Sequence, residues 1–234
     1  MVSMRCNLKL EGGRNRPGHL FHLLNDVTIS GGPEPSSLMY HHIVPYSKLR
    51  DFWNKLVENG DLAKREFLLP LRKMIAEGTY VDILHPGGTL VDADAQQVVD
   101  LARDIYVGTV SHSPTVRSRP PGWDNLMSVY AWLPGNLFVG PAARCDDPKD
   151  KLDDASFRLR RATDVRCTRL SEANTRILGY LDGGPGRNSP SPASKALGKV
   201  VECARFQDFD DADWIWFPNK SGPQVKGKAA SGRG

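Results

Sequence analysis

Between residues 47 and 107 the apolar side chains recur at helical spacing, and any fold for this chain has to bury those stripes. In SKLRDFWNKLVENG they fall at Leu49, Phe52, Trp53, Leu56 and Val57, on one face of a helix that Ser47 can cap and Gly60 can end. A second helix is expected after Asp61, through AKREFLLPLRKMIAEG, with Pro70 breaking or kinking it. A third fits DADAQQVVDLARDIYVG, with Val98, Leu101, Ala102 and Ile105 on one face. These stripes are core, and no chemistry attaches to them.

The flanks read differently. Residues 4–10 (MRCNLKL) and 26–30 (DVTIS) have strand character, LMYHHIVP runs as a strand into a bend at Pro45, and PGNLFVGP is a turn followed by a short strand. SHSPTVRSRPPGW is a loop, and DNLMSVYAWL a short helix. AARCDDPKDKLDDASFRLRRA is an acidic turn leading into a helix. SEANTRILGYL and SPASKALGKVVECARF are helical, with GGPGRNSPSP as a loop between them. From Gly222 the chain is rich in Gly, Ala, Ser and Lys, which predicts a flexible basic tail over 222–234 behind a single domain over 1–221. Helices and short strands in this mixture give an α+β class.

At 234 residues, with 40% hydrophobic and 25% charged content, the chain has the composition of a globular domain and not of a disordered one. No run approaches the roughly 20 apolar residues needed to cross a bilayer. The start, MVSMRCNLKLEGG, has no apolar core of a secretory signal, so the expectation is a cytoplasmic protein, or one delivered by a dedicated secretion system, with no membrane partner. The net charge of +4 comes from the end: no acid follows Asp213, while Lys220, Lys226, Lys228 and Arg233 do. Nucleic-acid binding therefore has to be argued from local clusters. These are Arg14 with Arg16, Arg117 with Arg119, and Arg158, Arg160, Arg161, Arg166 and Arg169, each of which also fits a solvated helix face. Cys6, Cys145, Cys167 and Cys203 are scattered without a C-x-x-C pair, which argues for free thiols over a zinc knuckle.

The stretch MYHHIVPY, residues 39–46, places two histidines side by side. Neighbours on a strand point to opposite faces, so a strand that ends at the pair and bends away is the arrangement that could bring both imidazoles to one point. Such a pair suits a metal ligand beside a general base. Hydrolysis of a phosphodiester needs a base to deprotonate water and a cation to stabilise the charge on phosphate and leaving oxygen. Histidine provides the base near neutral pH when a hydrogen-bond partner fixes its tautomer, a task an asparagine amide can perform.

Tyr40-His41-His42-Ile43-Val44-Pro45, followed by Asn136-Leu137-Phe138-Val139-Gly140-Pro141, resembles the HNH endonucleases of the His-Me finger (ββα-metal) superfamily. The resemblance implies a ββα active-site unit from about 36–46 and 134–165, with a large helical insertion over 47–132 and additional helices. It implies His42 as general base, His41 as metal ligand and Asn136 as the residue that orients His42. The third motif departs from the family. Cys145 stands where a helix would offer a histidine or asparagine, and no histidine follows His112. A carboxylate of Asp146 or Asp147 would then be the second ligand, and oxygen ligands favour Mg²⁺ or Mn²⁺ over Zn²⁺. Arg144, Arg158, Arg160 and Arg161 become the phosphate contacts.

The implied function is a metal-dependent endonuclease acting on nucleic acid, DNA before RNA, as in bacterial toxins, defence enzymes and mobile-element nucleases. A toxin would also have an inhibitor protein as partner. The missing third-motif histidine supports an alternative, a catalytically degenerate nucleic-acid- or protein-binding module. Each residue also has a structural reading: a His-His pair in packing, Asn136 as a turn residue after Pro134-Gly135, and Asp146 with Asp147 as helix cap and first-turn acid.

Overall fold

The computed structural model describes residues 4–11, 26–32, 35–78, 92–160, 163–183, 189–203, 206–217 and 219–226. In chain order the elements are β1 (Met4–Cys6), β2 (Leu38–His42), α1 (Tyr46–Glu58), α2 (Leu68–Ala76), α3 (Asp92–Val107), β3 (Val110–His112), α4 (Trp123–Ala131), β4 (Leu137–Pro141), α5 (Val165–Asp182), α6 (Ser191–Val201), β5 (Trp214–Trp216) and β6 (Pro223–Val225). Short 3₁₀ turns occupy Pro134–Asn136, Asp154–Leu159 and Asp211–Asp213. The class is α+β: helices packed on one another, together with small two-stranded sheets.

α1 buries the face its spacing predicts, Leu49, Phe52, Trp53, Leu56 and Val57, and the chain leaves it through Gly60 at φ 70°. Its start differs from expectation. Pro45 is the capping residue, Ser47 lies inside the first turn, and the Ser47 hydroxyl donates to Asp150 instead of to the helix backbone. α2 begins only at Leu68, because 61–67 turns on itself, so Pro70 falls in the first helical turn. There its missing N–H breaks no bond, and the expected break does not occur. α3 runs as predicted, with Val98, Leu101, Ala102 and Ile105 buried.

Trp53 sits at the centre of an aromatic cluster, 4.9 Å from Tyr130 and 6.0 Å from both Phe67 and Trp123. Two buried polar tips in this cluster are satisfied by backbone: Trp53 Nε1 donates to Leu8 O at 2.8 Å and the Tyr130 hydroxyl to Leu49 O at 2.8 Å. α5 and α6 pack against each other, and Lys55 of α1 donates to Tyr180 O, Leu181 O and Gly183 O, satisfying carbonyls at the C-terminal end of α5.

Among the described residues the strands form three two-stranded sheets: parallel β1–β3, antiparallel β2–β4 and antiparallel β5–β6. Three expectations are corrected here. The segment 26–30 makes only a bridge, Val27 to Ser36. The predicted helix within 142–162 reduces to the 3₁₀ turn Asp154–Leu159. Within the tail expected over 222–234, Pro223–Val225 form β6, and residues 227–234 lie outside the described residues. Pro223 O accepts from Cys145 N at 2.9 Å, and a Cβ on Gly222 would lie 1.8 Å from Ala143 O, so only glycine lets the two backbones meet.

Candidate functional site

β2 and β4 lie far apart in sequence and pair in register His42 to Leu137, His41 to Phe138 and Leu38 to Pro141. The strand does not stop before the histidines; it ends with His42, and the two rings leave on opposite sides. His41 stacks on Phe138 (5.1 Å, 18°), and Nε2 lies 3.0 Å from Pro141 O. The His42 ring lies 4.6 Å from Trp132 and 6.1 Å from Tyr46, with Nε2 2.8 Å from Ala131 O at the end of α4. A ring nitrogen facing a carbonyl must carry the proton, so in the neutral form each ring keeps its lone pair on Nδ1.

Asn136, 1% exposed, closes the 3₁₀ turn before β4. Its Oδ1 accepts from Val44 N at 2.7 Å, its Nδ2 donates to Val44 O at 2.9 Å, and its backbone oxygen accepts from Ile43 N at 2.9 Å. Asn136 therefore holds the backbone just beyond His42. The imidazole Nε2 is instead fixed by the carbonyl of Ala131, a backbone group that no side-chain motif announces.

A cavity of about 420 Å³ runs beside β2, walled on one side by Met39 to His42, Pro45, Tyr46, Ser47 and Arg50 and on the other by Asp147, Lys149, Asp150 and Asp153. His41 and His42 thus border one space despite facing apart. Asp147 accepts from Lys149 N at 2.8 Å, and Asp150 accepts the Ser47 hydroxyl at 3.1 Å. Asp153 N donates to Ile43 O at 2.8 Å, which ties the acidic wall to the segment that Asn136 holds.

The other predicted residues have different tasks. Asp146 does not line the cavity: it takes Arg144 Nε at 2.8 Å, Arg158 at 3.4 Å and Val225 N at 3.0 Å. Arg144 has no exposed side-chain surface; it binds Asp146 and both oxygens of Asp153 and lies over the rings of Phe138 and Trp214. Burial pushes the Asp153 carboxyl up against the pull of Arg144. Burial also opposes the Arg144 charge, but its two carboxylates outweigh that and hold the guanidinium above its usual value. Neither Asp146 nor Asp147 caps a helix; Asp153 accepts from Ser156 N, and Asp164 caps α5 through Arg166 N.

Arg158 is exposed beside Asp146, Arg160 is committed to Phe206 O and its ring, and Arg161 lies outside the described residues, as do Arg14 and Arg16. Arg166 pairs with Asp164, and Arg119 donates to Asn7 O and Glu11 beneath its contact with Trp123. All four cysteines are free thiols. Sequence reasoning missed Tyr46, Ser47 and Arg50 as cavity residues. Their signal was available: a helix starting directly after HHIVP presents positions 46, 47 and 50 on one side of its first turns.

Among the described residues no three His, Cys, Asp or Glu side chains gather closely enough to hold a metal ion. A cation here would be held by one or two side chains, with water and substrate oxygens completing its shell, the habit of Mg²⁺.

No family model and no solved structure matches the chain. Protein p9 of Acyrthosiphon pisum secondary endosymbiont phage 1 is 29% identical over 192 residues, 74% of this chain and 51% of its own length. The chain spans about half of that relative, whose name states no activity. No helix among the described residues is long and apolar enough to cross a membrane.

Proposed function

We propose that the protein is an HNH-type, His-Me finger endonuclease that hydrolyses phosphodiester bonds of nucleic acid, DNA before RNA. The observation that carries this reading is the Asn136 side chain bonded to both polar backbone groups of Val44, at the end of a strand pair that sets His42 opposite Leu137. The strands that carry the two motifs, distant in sequence, pair there, which supports the reading. His42, with Nε2–H on Ala131 O, presents Nδ1 as the base that takes a proton from water. His41 and Asp147 are the side chains that would hold a divalent cation, and Asp146 drops out of that role because its oxygens serve Arg144, Arg158 and Val225. When bound, the cation would stabilise negative charge on the phosphate and the leaving oxygen. A similar protein encoded by a phage supports a mobile-element setting over a toxin or host-defence one.

The absence of a three-ligand cluster among the described residues favours a second reading, a degenerate module that binds nucleic acid without cutting it. Plasmid nicking separates the two. The nuclease nicks with Mg²⁺ or Mn²⁺ and stops with EDTA, and His42→Ala lowers the rate by a factor on the order of 10²–10⁴ while the thermal transition stays in place. Cleavage by His42→Ala at the wild-type rate would assign water activation to another group. Binding without nicking in either metal selects the degenerate module.

A further inference from the structure

We propose that Arg50 and Lys149, one from each of the two chain segments that wall the cavity, are the residues that hold the backbone phosphates of a nucleic acid there. The inference rests on the nuclease reading for the cleavage step alone; binding stands without it. Three of the arginines that the sequence singles out are not positioned for this work: Arg144 has no exposed side-chain surface, Arg160 is committed to Phe206 O, and Arg158 does not line the cavity. Among the described residues the Lys and Arg side chains that line it are Arg50 and Lys149.

Among the described residues Arg50 meets one oxygen of its neighbour Asp51, through Nε at 3.1 Å and one terminal nitrogen at 2.9 Å. With side chains 29% and 42% exposed, that pair stands partly in water, where an ion pair is weak enough to exchange for a phosphate. The guanidinium fork then matches phosphate oxygens in pairs. Lys149 stands at φ 59°, a left-handed backbone that lysine seldom adopts, and Asp147 fixes it there by accepting its N–H. No carboxylate pairs with its ammonium group among the described residues.

Asp153 is offset from behind by Arg144, while Asp150, which accepts from Ser47, and Asp147, which accepts from Lys149 N, keep their charge, so Arg50 and Lys149 act as local phosphate contacts and not through the net charge of the cavity. Tyr40 and Tyr46 line the same cavity and add aromatic faces of the kind on which bases stack, which favours a nucleic acid over an acidic protein as occupant.

The test is fluorescence anisotropy in EDTA, where no cutting occurs, with a labelled DNA duplex and an RNA strand of equal length over a salt series. Arg50→Gln and Lys149→Asn remove the charges, the latter with a residue that tolerates the left-handed backbone; Lys73→Ala on α2 is the surface-charge control, and thermal melts check folding. The double variant should bind the preferred probe about tenfold more weakly near 0.1 M salt and, on duplex DNA, lower the slope of log affinity against log salt by about 1.8, at about 0.9 per lost phosphate contact. Lys73→Ala should match wild type. A folded double variant with wild-type affinity and slope overturns the proposal, as does a wild-type protein that binds neither probe. Nicking by wild type combined with unaltered binding by the double variant rejects this inference and keeps the nuclease. Charge-dependent binding without nicking keeps this inference and rejects the nuclease.

Discussion

Asn136 shows how a single side chain can take a task that its motif does not name. The resemblance assigns it to orienting His42, whereas its amide grips the Val44 backbone, and the imidazole Nε2 is held at Ala131 O. Both Val44 groups are satisfied inside the protein through this amide, so Asn136→Ala strands a buried donor and a buried acceptor. Each such loss costs about 1–3 kcal/mol, and the variant should be destabilised by about 2–6 kcal/mol in urea unfolding. Asn136→Asp keeps the acceptor for Val44 N and should fall between. A change below about 0.5 kcal/mol for the alanine variant would mean that the segment is held by other contacts. The neighbouring arginine is a second case. Arg144 reads as a surface cation from its local sequence and is instead the buried counter-ion of Asp153, because Phe138 and Trp214 close over it.

The elements follow the sequence where one helix face decides them and depart from it where a remote strand does. α1 and α3 form where their apolar stripes lie, since a stripe needs only some apolar partner to bury against. β6 had no such signature. It exists because β5 offers it a ladder, because Cys145 N donates to Pro223 O, and because Gly222 admits the Ala143 carbonyl. Gly222→Ala should therefore act as an overpacking change against backbone, lowering stability by about 1–3 kcal/mol. The same displacement would remove Val225 N from Asp146 and loosen the loop that carries Asp147 to the cavity. Hydrogen exchange should show faster exchange at Cys145 and Val225 in the variant than in wild type; unchanged protection would show that β6 is not held by this close approach.

Over the whole molecule the helical section and the strand pair are not separate bodies. Trp53 and Trp123 among the helices, and Phe138 and Trp214 against Arg144, belong to one contiguous apolar core. The cavity itself depends on that union, since its walls come from residues 39–50 and 147–153. Unfolding should be one cooperative transition, with far-UV circular dichroism and tryptophan fluorescence giving the same midpoint. Two midpoints would show the 47–132 helices melting as a unit apart from β2–β4.

The sequence alone determined the helices with periodic apolar faces, the strands at LMYHH and LFVGP, and the identity of the histidine pair and the asparagine as residues to watch. Those signals are local: spacing, turn residues and short motifs are complete within a few residues. Only the tertiary structure decided which of the charged groups are buried and which are presented. Arg144, Asp146 and Asp153 form one ion-paired cluster, while Arg50 and Lys149 reach one cavity from segments joined by long-range pairing. Whether a charge meets water or a partner depends on what the rest of the chain brings over it, and that information is spread along the sequence with no local pattern to mark it.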